Sequence, residues 1–250
     1  MKNNLIQYIY GIADNSLILG QRLGELCGHG PSLETDIAMT NISLDLLGQV
    51  RSYYQYVAKL QGGDATEDTV AFLRIENEYK NVLLVEQPNT DFAYSITRQF
   101  LFDVFHLALL EELQNSKDEM LAAIAKKSIK EVLYHNRFSS DWIKRLGDGT
   151  EESHNRIQTA INDLWIFTDE LFHQTDTDKA MVAEGIGVDV TLLKSNYYKK
   201  VSEILEESTL QTPQIEYFQK GGKNGIHSEH MGYILTELQY MQRTYPNMTW

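Results

Sequence analysis

Apolar side chains recur three and four positions apart through most of this chain, the spacing that gathers them on one face of an α-helix. Tyr8, Ile9, Ile12, Ser16, Leu19, Leu23 and Leu26 form one such stripe, which predicts a first helix over about residues 5–26, ending at "CGHGP". Pro31 suits a first turn, Glu34 and Asp36 sit near its positive end, and helical spacing then continues through "IAMTNISLDLLGQVRSYYQYVAKL" to "QGGD". This second helix is long, roughly 30 residues or about 45 Å. Further helices are expected over residues 66–86, 91–114, 118–146 and 150–172. After "HQTDTDK" the pattern weakens into shorter helices over about 179–184 and 189–207, an irregular "TPQIEYFQKGGKNG" and a last helix over 228–243. Pro31, Pro88, Pro213 and Pro246 all fall where the periodicity breaks, and no alternating strand-like run occurs. The expected fold is all-α, an antiparallel bundle of long helices joined by short connections. One domain is expected over residues 1–250, with a core bundle at about 4–173 and a C-terminal helical extension at about 176–250.

Composition narrows the class. The chain has 250 residues, enough for a full core, and its 35 acidic against 22 basic residues give a net charge of -13. That charge opposes a surface that tracks nucleic-acid phosphates, so no nucleic-acid partner is expected. Cys27 is the single cysteine, which excludes an internal disulfide and a cysteine-rich zinc site. No run of about 18 apolar residues occurs and the first residues lack a cleavable leader pattern, so a soluble, cytoplasmic protein without a membrane partner is expected.

The candidate chemistry lies in the long helices. A carboxylate-bridged di-iron site takes a carboxylate from each of two helices and a Glu-x-x-His from each of the other two. The acid-x-x-His pairs here are Asp103 with His106, Glu151 with His154, and Glu170 with His173. Glu151 and Glu170 fall near opposite ends of one predicted helix, about 28 Å apart, where solvated side chains are the ordinary reading. Asp103 with His106, and Glu131 with His135 in "IKEVLYH", are mid-helix, and four-residue spacing also keeps two side chains on one face. Neither of the first two helices contains a histidine, and the first offers only Asp14 and the terminal Glu25 as acids. The ligand set is incomplete. The competing reading is a metal-free buried cluster in which carboxylates, histidines and Arg98 or Arg137 satisfy one another.

Several blocks in order, "LGQRLGELCGHGPSLETDIAMTNISLDLLGQVR", "LLVEQPN", "IKEVLYHNRFSSDWIKRLGDGT", "AINDLWIFTDELF" and "GGKNGIHSEHMG", resemble the C subunits of bacterial phenylacetyl-CoA epoxidases, which are multicomponent monooxygenases. The resemblance covers nearly the whole chain and implies a ferritin-like bundle. It implies a non-catalytic, structural role in aerobic phenylacetate degradation, pairing with a related A subunit that carries the di-iron centre. Phenylacetyl-CoA would bind at or near the A subunit interface, and electrons would come from a separate reductase with NADPH, flavin and an iron-sulfur centre. The implied register puts the first helix's carboxylate near Ser16, one Glu-x-x-His on Leu46 and Gln49, the other on Val132 and His135, and the last carboxylate nearest Asp103. Asp45 and Glu131 each fall one residue early, about 100° around the helix. No catalytic residue and no metal in this chain are expected. The rivals are an active di-iron oxidase using Asp103, His106, Glu131 and His135, and an unrelated helical interaction module.

Two further features invite function. "QKGGKNGIHSEH" combines close-approach glycines with Lys220 and Lys223 before a helix start near Ser228, a pattern that could hold a CoA phosphate or end a plain loop in an N-cap serine. His227 and His230 alone make a weak metal pair. Tyr53, Tyr54, Tyr56, Tyr197 and Tyr198 could anchor an interface, with core packing as the ordinary alternative.

Overall fold

The computed structural model describes residues 2–246 and 248, so the outermost residues of the expected 1–250 domain lie outside the described residues. Four long helices carry the architecture: α1 (Lys2–Glu25), α2 (Leu33–Gln61), α4 (Phe92–Leu113) and α5 (Glu119–Gly147). Their starts are set by local chemistry. Ser32, Asp91 and Asp118 cap α2, α4 and α5 by accepting the backbone N–H groups of Thr35, Tyr94 and Leu121. Pro31 therefore precedes the cap and does not enter the first turn.

α1 and α2 form one antiparallel hairpin, and α4 and α5 form another. Asp45 of α2 meets His135 of α5 while Gln49 meets Glu131, so these two helices also run antiparallel. α2 and α4 must then point the same way, and residues 62–91 return the chain along the length of the bundle. One long crossover of this kind is the ferritin-like arrangement.

The crossover corrects the expected helix over 66–86. Only α3 (Glu67–Phe72) forms, followed by single 3-10 turns at Glu76–Glu78 and Leu83–Glu86. Side chains from elsewhere take the N–H groups that a helix would have used. Asp14 accepts from Lys80 N at 2.8 Å, Asn15 from Val82 N at 2.8 Å and Glu170 from Leu83 N at 2.7 Å.

α6 (Glu151–Trp165) packs on the second hairpin and stops short of the expected residue 172. The Thr168 hydroxyl donates to Trp165 O and Gln219 N donates to Ile166 O, which satisfies the final carbonyls without another turn. α7 (Asp176–Ala183) lies against α1, α8 (Lys194–Glu207) against α4 and α5, and α9 (Glu229–Thr244) over the crossover. A single apolar core runs from Leu5 on α1 to Leu235 on α9, and no strand occurs among the described residues.

Candidate functional site

The inward faces of the four long helices bring the register positions together. Ser16, Leu46, Asp103, Val132 and His135 are fully buried, and Gln49 nearly so. In the register that the family resemblance implies, Leu46 and Val132 put aliphatic carbon at two of the four positions where a di-iron site needs anionic oxygen. The residues present do not fit the metal. No group of three or more His, Cys, Asp or Glu among the described residues is placed to hold an ion.

What remains is a charge-poor polar interior. Asp103 accepts from Gln99 Nε2 at 2.6 Å and from Ser139 Oγ at 2.8 Å. Burial outweighs those two hydrogen bonds and pushes its carboxyl up to about 8. The same desolvation, with His135 nearby, pushes His106 down to about 3, and its ring packs 5.1 Å from that of Phe102. His135 is also lowered by burial, against the pull of Asp45. At neutral pH all three groups are uncharged. Ser16 Oγ, Gln99 Oε1, both His106 nitrogens and His135 Nδ1 have no protein hydrogen-bond partner.

The carboxylates one residue early act from the edge. Asp45 Oδ2 lies 3.0 Å from His135 Nε2, and Gln49 Nε2 donates to Glu131 Oε2 at 3.1 Å. Glu131 and His135 do share a face, yet each turns to a partner on α2 instead of to a common ion. The expected arginines are absent from this cluster. Arg98 donates to Gln87 O and Asn89 Oδ1, while Arg137 is on the surface beside Asp141. Glu151 is exposed as expected, but Glu170, expected in solvent, is buried.

Glu170 explains the glycine-lysine loop. Its Oε1 accepts from Gly221 N at 2.7 Å and its Oε2 from Leu83 N, so the anion cradled by the loop is the protein's own carboxylate. Lys223 is likewise engaged, 3.0 Å from Asp178 and 2.6 Å from His173 O, while Lys220 is exposed. The glycines serve close packing. A Cβ at Gly222 would come within 2.1 Å of Asn81 O, and one at Gly225, where φ is 81°, within 2.2 Å of Asn77 O. The start of α9 is occupied too. Glu86 Oε2 accepts from Ser228 N at 2.8 Å and Ser228 Oγ at 2.6 Å, and its Oε1 contacts His227 Nδ1 at 2.6 Å. Burial opposes protonation of His227, but the Glu86 bond and charge outweigh it and raise its pKa. His227 is therefore half of an internal pair.

One cluster has no counterpart in the sequence reading. Buried Asp14 receives Arg74 Nη2 at 2.7 Å and Nη1 at 2.9 Å, plus the Tyr54 hydroxyl at 2.5 Å. The guanidinium lies 4.2 Å from the ring centre of Tyr10 and 4.1 Å from that of Tyr79. An arginine within "AFLRIENEY" and an acid within "YIYGIADNS" were the available signals, since charges in apolar runs persist only when paired. Tyr53, Tyr54 and Tyr197 are core residues, Tyr56 donates to Asp118 at 2.6 Å, and Tyr198 lies 3.1 Å from Thr168 Oγ1.

Fold and site together define a ferritin-like bundle whose four long helices enclose a charge-poor polar interior around Leu46, Asp103, Val132 and His135. The sequence profile of the phenylacetic acid catabolic protein family matches residues 1–250, and the chain belongs to that family. It is 49% identical over 248 residues to the C subunit of 1,2-phenylacetyl-CoA epoxidase of Escherichia coli (strain K12), covering 99% of this chain and 100% of that protein.

Proposed function

We propose that this chain is the structural, non-catalytic subunit of a multicomponent monooxygenase that epoxidises the ring of phenylacetyl-CoA. Full-length similarity to the C subunit of such an epoxidase carries this reading. The buried Leu46 and Val132 support it from the chemical side, because an iron-binding subunit would need carboxylates there. In this role the chain docks and stabilises a related A subunit that holds the di-iron centre and binds the acyl-CoA at or near the shared interface. NADPH, flavin and iron-sulfur chemistry belong to a separate reductase. Among the described residues no helix is long and apolar enough to cross a membrane, and we place the chain in the cytoplasm with that catabolic machinery.

Co-expression with the A subunit from the same organism tests the assignment. A stable complex by size-exclusion chromatography with light scattering, and ring oxidation that needs both chains and the reductase, are expected. Separate species at micromolar concentration, or oxidation by this chain without the A subunit, would overturn it.

A further inference from the structure

A cation-lined cleft lies among the C-terminal elements, apart from the polar interior of the bundle. It has a volume of about 500 Å³ and forms where four segments meet: the 3-10 turn Asp169–Phe172 with the residues just after it, α7, the turn Val190–Leu193 that leads into α8, and residues 218–220. Cavities of roughly 300–1,000 Å³ are the size class of small-molecule sites. Lys179, Lys194 and Lys220 line the cleft with His173, and Phe172 and Phe218 add two aromatic rings. Three lysines in one cleft reverse the local sign in a chain of net charge -13.

The charges there are unequally committed. Lys194 is paired with Asp169, whereas Lys179 meets Asp176 only at 3.4 Å on the surface, where such pairs are worth little. Lys220 is exposed and has no carboxylate within ion-pair distance among the described residues. Glu170 also borders the cleft, but its oxygens already accept Leu83 N and Gly221 N. The uncommitted charge is therefore positive. His173 registers it: burial lowers its pKa most, and Lys223, Lys220 and Lys179 lower it further against the pull of Asp178. A neutral imidazole among lysines offers a ligand one hydrogen-bond donor and one acceptor.

This combination selects a ligand class. Lysine ammonium groups are point charges suited to phosphate oxygens, and the half-buried ring of Phe218 suits a planar base, which stacks on aromatic faces. An inorganic anion would leave the ring unused, and a neutral aromatic molecule would leave the lysines unused. We infer that this cleft binds a nucleoside phosphate, with Lys179 and Lys220 meeting its phosphate groups and Phe218 its base. The inference stands apart from the subunit role proposed above. Two sources share this chemistry: a free nucleotide, and the adenosine phosphate end of a coenzyme A thioester.

Isothermal titration of the full chain with adenosine 3′,5′-bisphosphate, ATP, coenzyme A and inorganic phosphate, each at two ionic strengths, tests it. The bisphosphate is expected to bind at least about 10-fold tighter than inorganic phosphate because only it can stack, and to weaken at the higher salt. Lys179→Ala with Lys220→Ala should weaken it at least about 10-fold and flatten the salt dependence. Lys126→Ala with Lys127→Ala, which removes the same charge from exposed positions of α5, should leave affinity within about 2-fold of wild type. Phe218→Leu keeps an apolar side chain and should cost the bisphosphate about 5-fold while leaving inorganic phosphate unchanged. Circular dichroism melts verify that each variant folds. Coenzyme A binding at least as tightly as the bisphosphate, with ATP weaker than both, assigns the thioester as the source, and the reverse order assigns a free nucleotide. No nucleotide binding at millimolar concentration, equal affinity for inorganic phosphate, or an affinity that the lysine variant leaves unchanged would overturn the inference.

Discussion

His135 on α5 and Asp45 on α2 are joined across the bundle at 3.0 Å, with the imidazole wholly buried and the carboxylate side chain 38% exposed. Since burial keeps His135 neutral, its Nε2–H donates to Asp45, and a position that keeps ligand chemistry serves instead as a strut between two helices. Asp45→Ala leaves a buried donor unpaired and is expected to destabilise the chain by about 1–3 kcal/mol. Asp45→Asn keeps an acceptor and costs less. Urea unfolding at pH 7 checks both, and equal losses for the two variants would contradict the strut.

The buried Asp103 and His106 give the chain a defined pH response. Unfolded, Asp103 loses its proton near 3.8, but folded it keeps it to about 8, so its contribution is complete below 3.8 and is lost as pH rises toward 8. His106 works in the opposite sense: it is protonated near 6.5 when unfolded and only near 3 when folded, so its contribution is complete above 6.5 and is lost as pH falls. Between pH 6.5 and 8 the Asp103 slope acts together with that of His227, whose raised pKa likewise loses its contribution as pH rises. Wild type should lose stability with rising pH in that window, and Asp103→Asn should make that loss shallower; below pH 6.5, where the Asp103 and His106 slopes oppose each other, the variant should lose stability more steeply than wild type as pH falls. Urea midpoints across the range decide it; a pH profile unchanged in the variant rules Asp103 out.

Iron loading probes the register implied by the family resemblance directly. After anaerobic incubation with ferrous ion and desalting, elemental analysis should find no stoichiometric iron, because Leu46 and Val132 offer no oxygen. Two irons per chain with an oxo-bridge absorption band would establish an active di-iron site.

Arg74 and Asp14 should behave as a coupled pair. Arg74→Met leaves a buried carboxylate without its cation, and a loss of about 3–5 kcal/mol is expected. Adding Asp14→Asn should recover part of that loss, so the double variant is more stable than the sum of the singles predicts. Additive losses would mean that packing on Tyr10 and Tyr79, not charge pairing, dominates.

The long helices are legible in the sequence because their signals are local: amphipathic stripes, with Asp91 and Asp118 at the expected starts of α4 and α5. The crossover is not legible. Residues 66–86 carry helical spacing, yet the groups that replace a helix on Lys80, Val82 and Leu83 lie 66, 67 and 87 positions away. At the site, helical spacing places Leu46 and Val132 on inward faces, but it cannot show that Asp45 and Glu131 reach across to α5 and α2, since that depends on how two separate helices align. For the glycine-lysine loop, the contacts of Glu170 and Glu86 are not legible, since both carboxylates reach it from distant segments.

The crossover's anchors also order events in time. Gln239 on α9 holds the Arg74 carbonyl and the Tyr79 hydroxyl from 165 and 160 residues away, and His227 reaches the Tyr79 carbonyl from 148. A ribosome that has delivered both helix hairpins has therefore not yet delivered the fastening for the stretch of chain between them. Until α9 emerges, Arg74 and Glu86 lack part of their native surroundings, and contacts of such sequence separation are the ones that cost most to close.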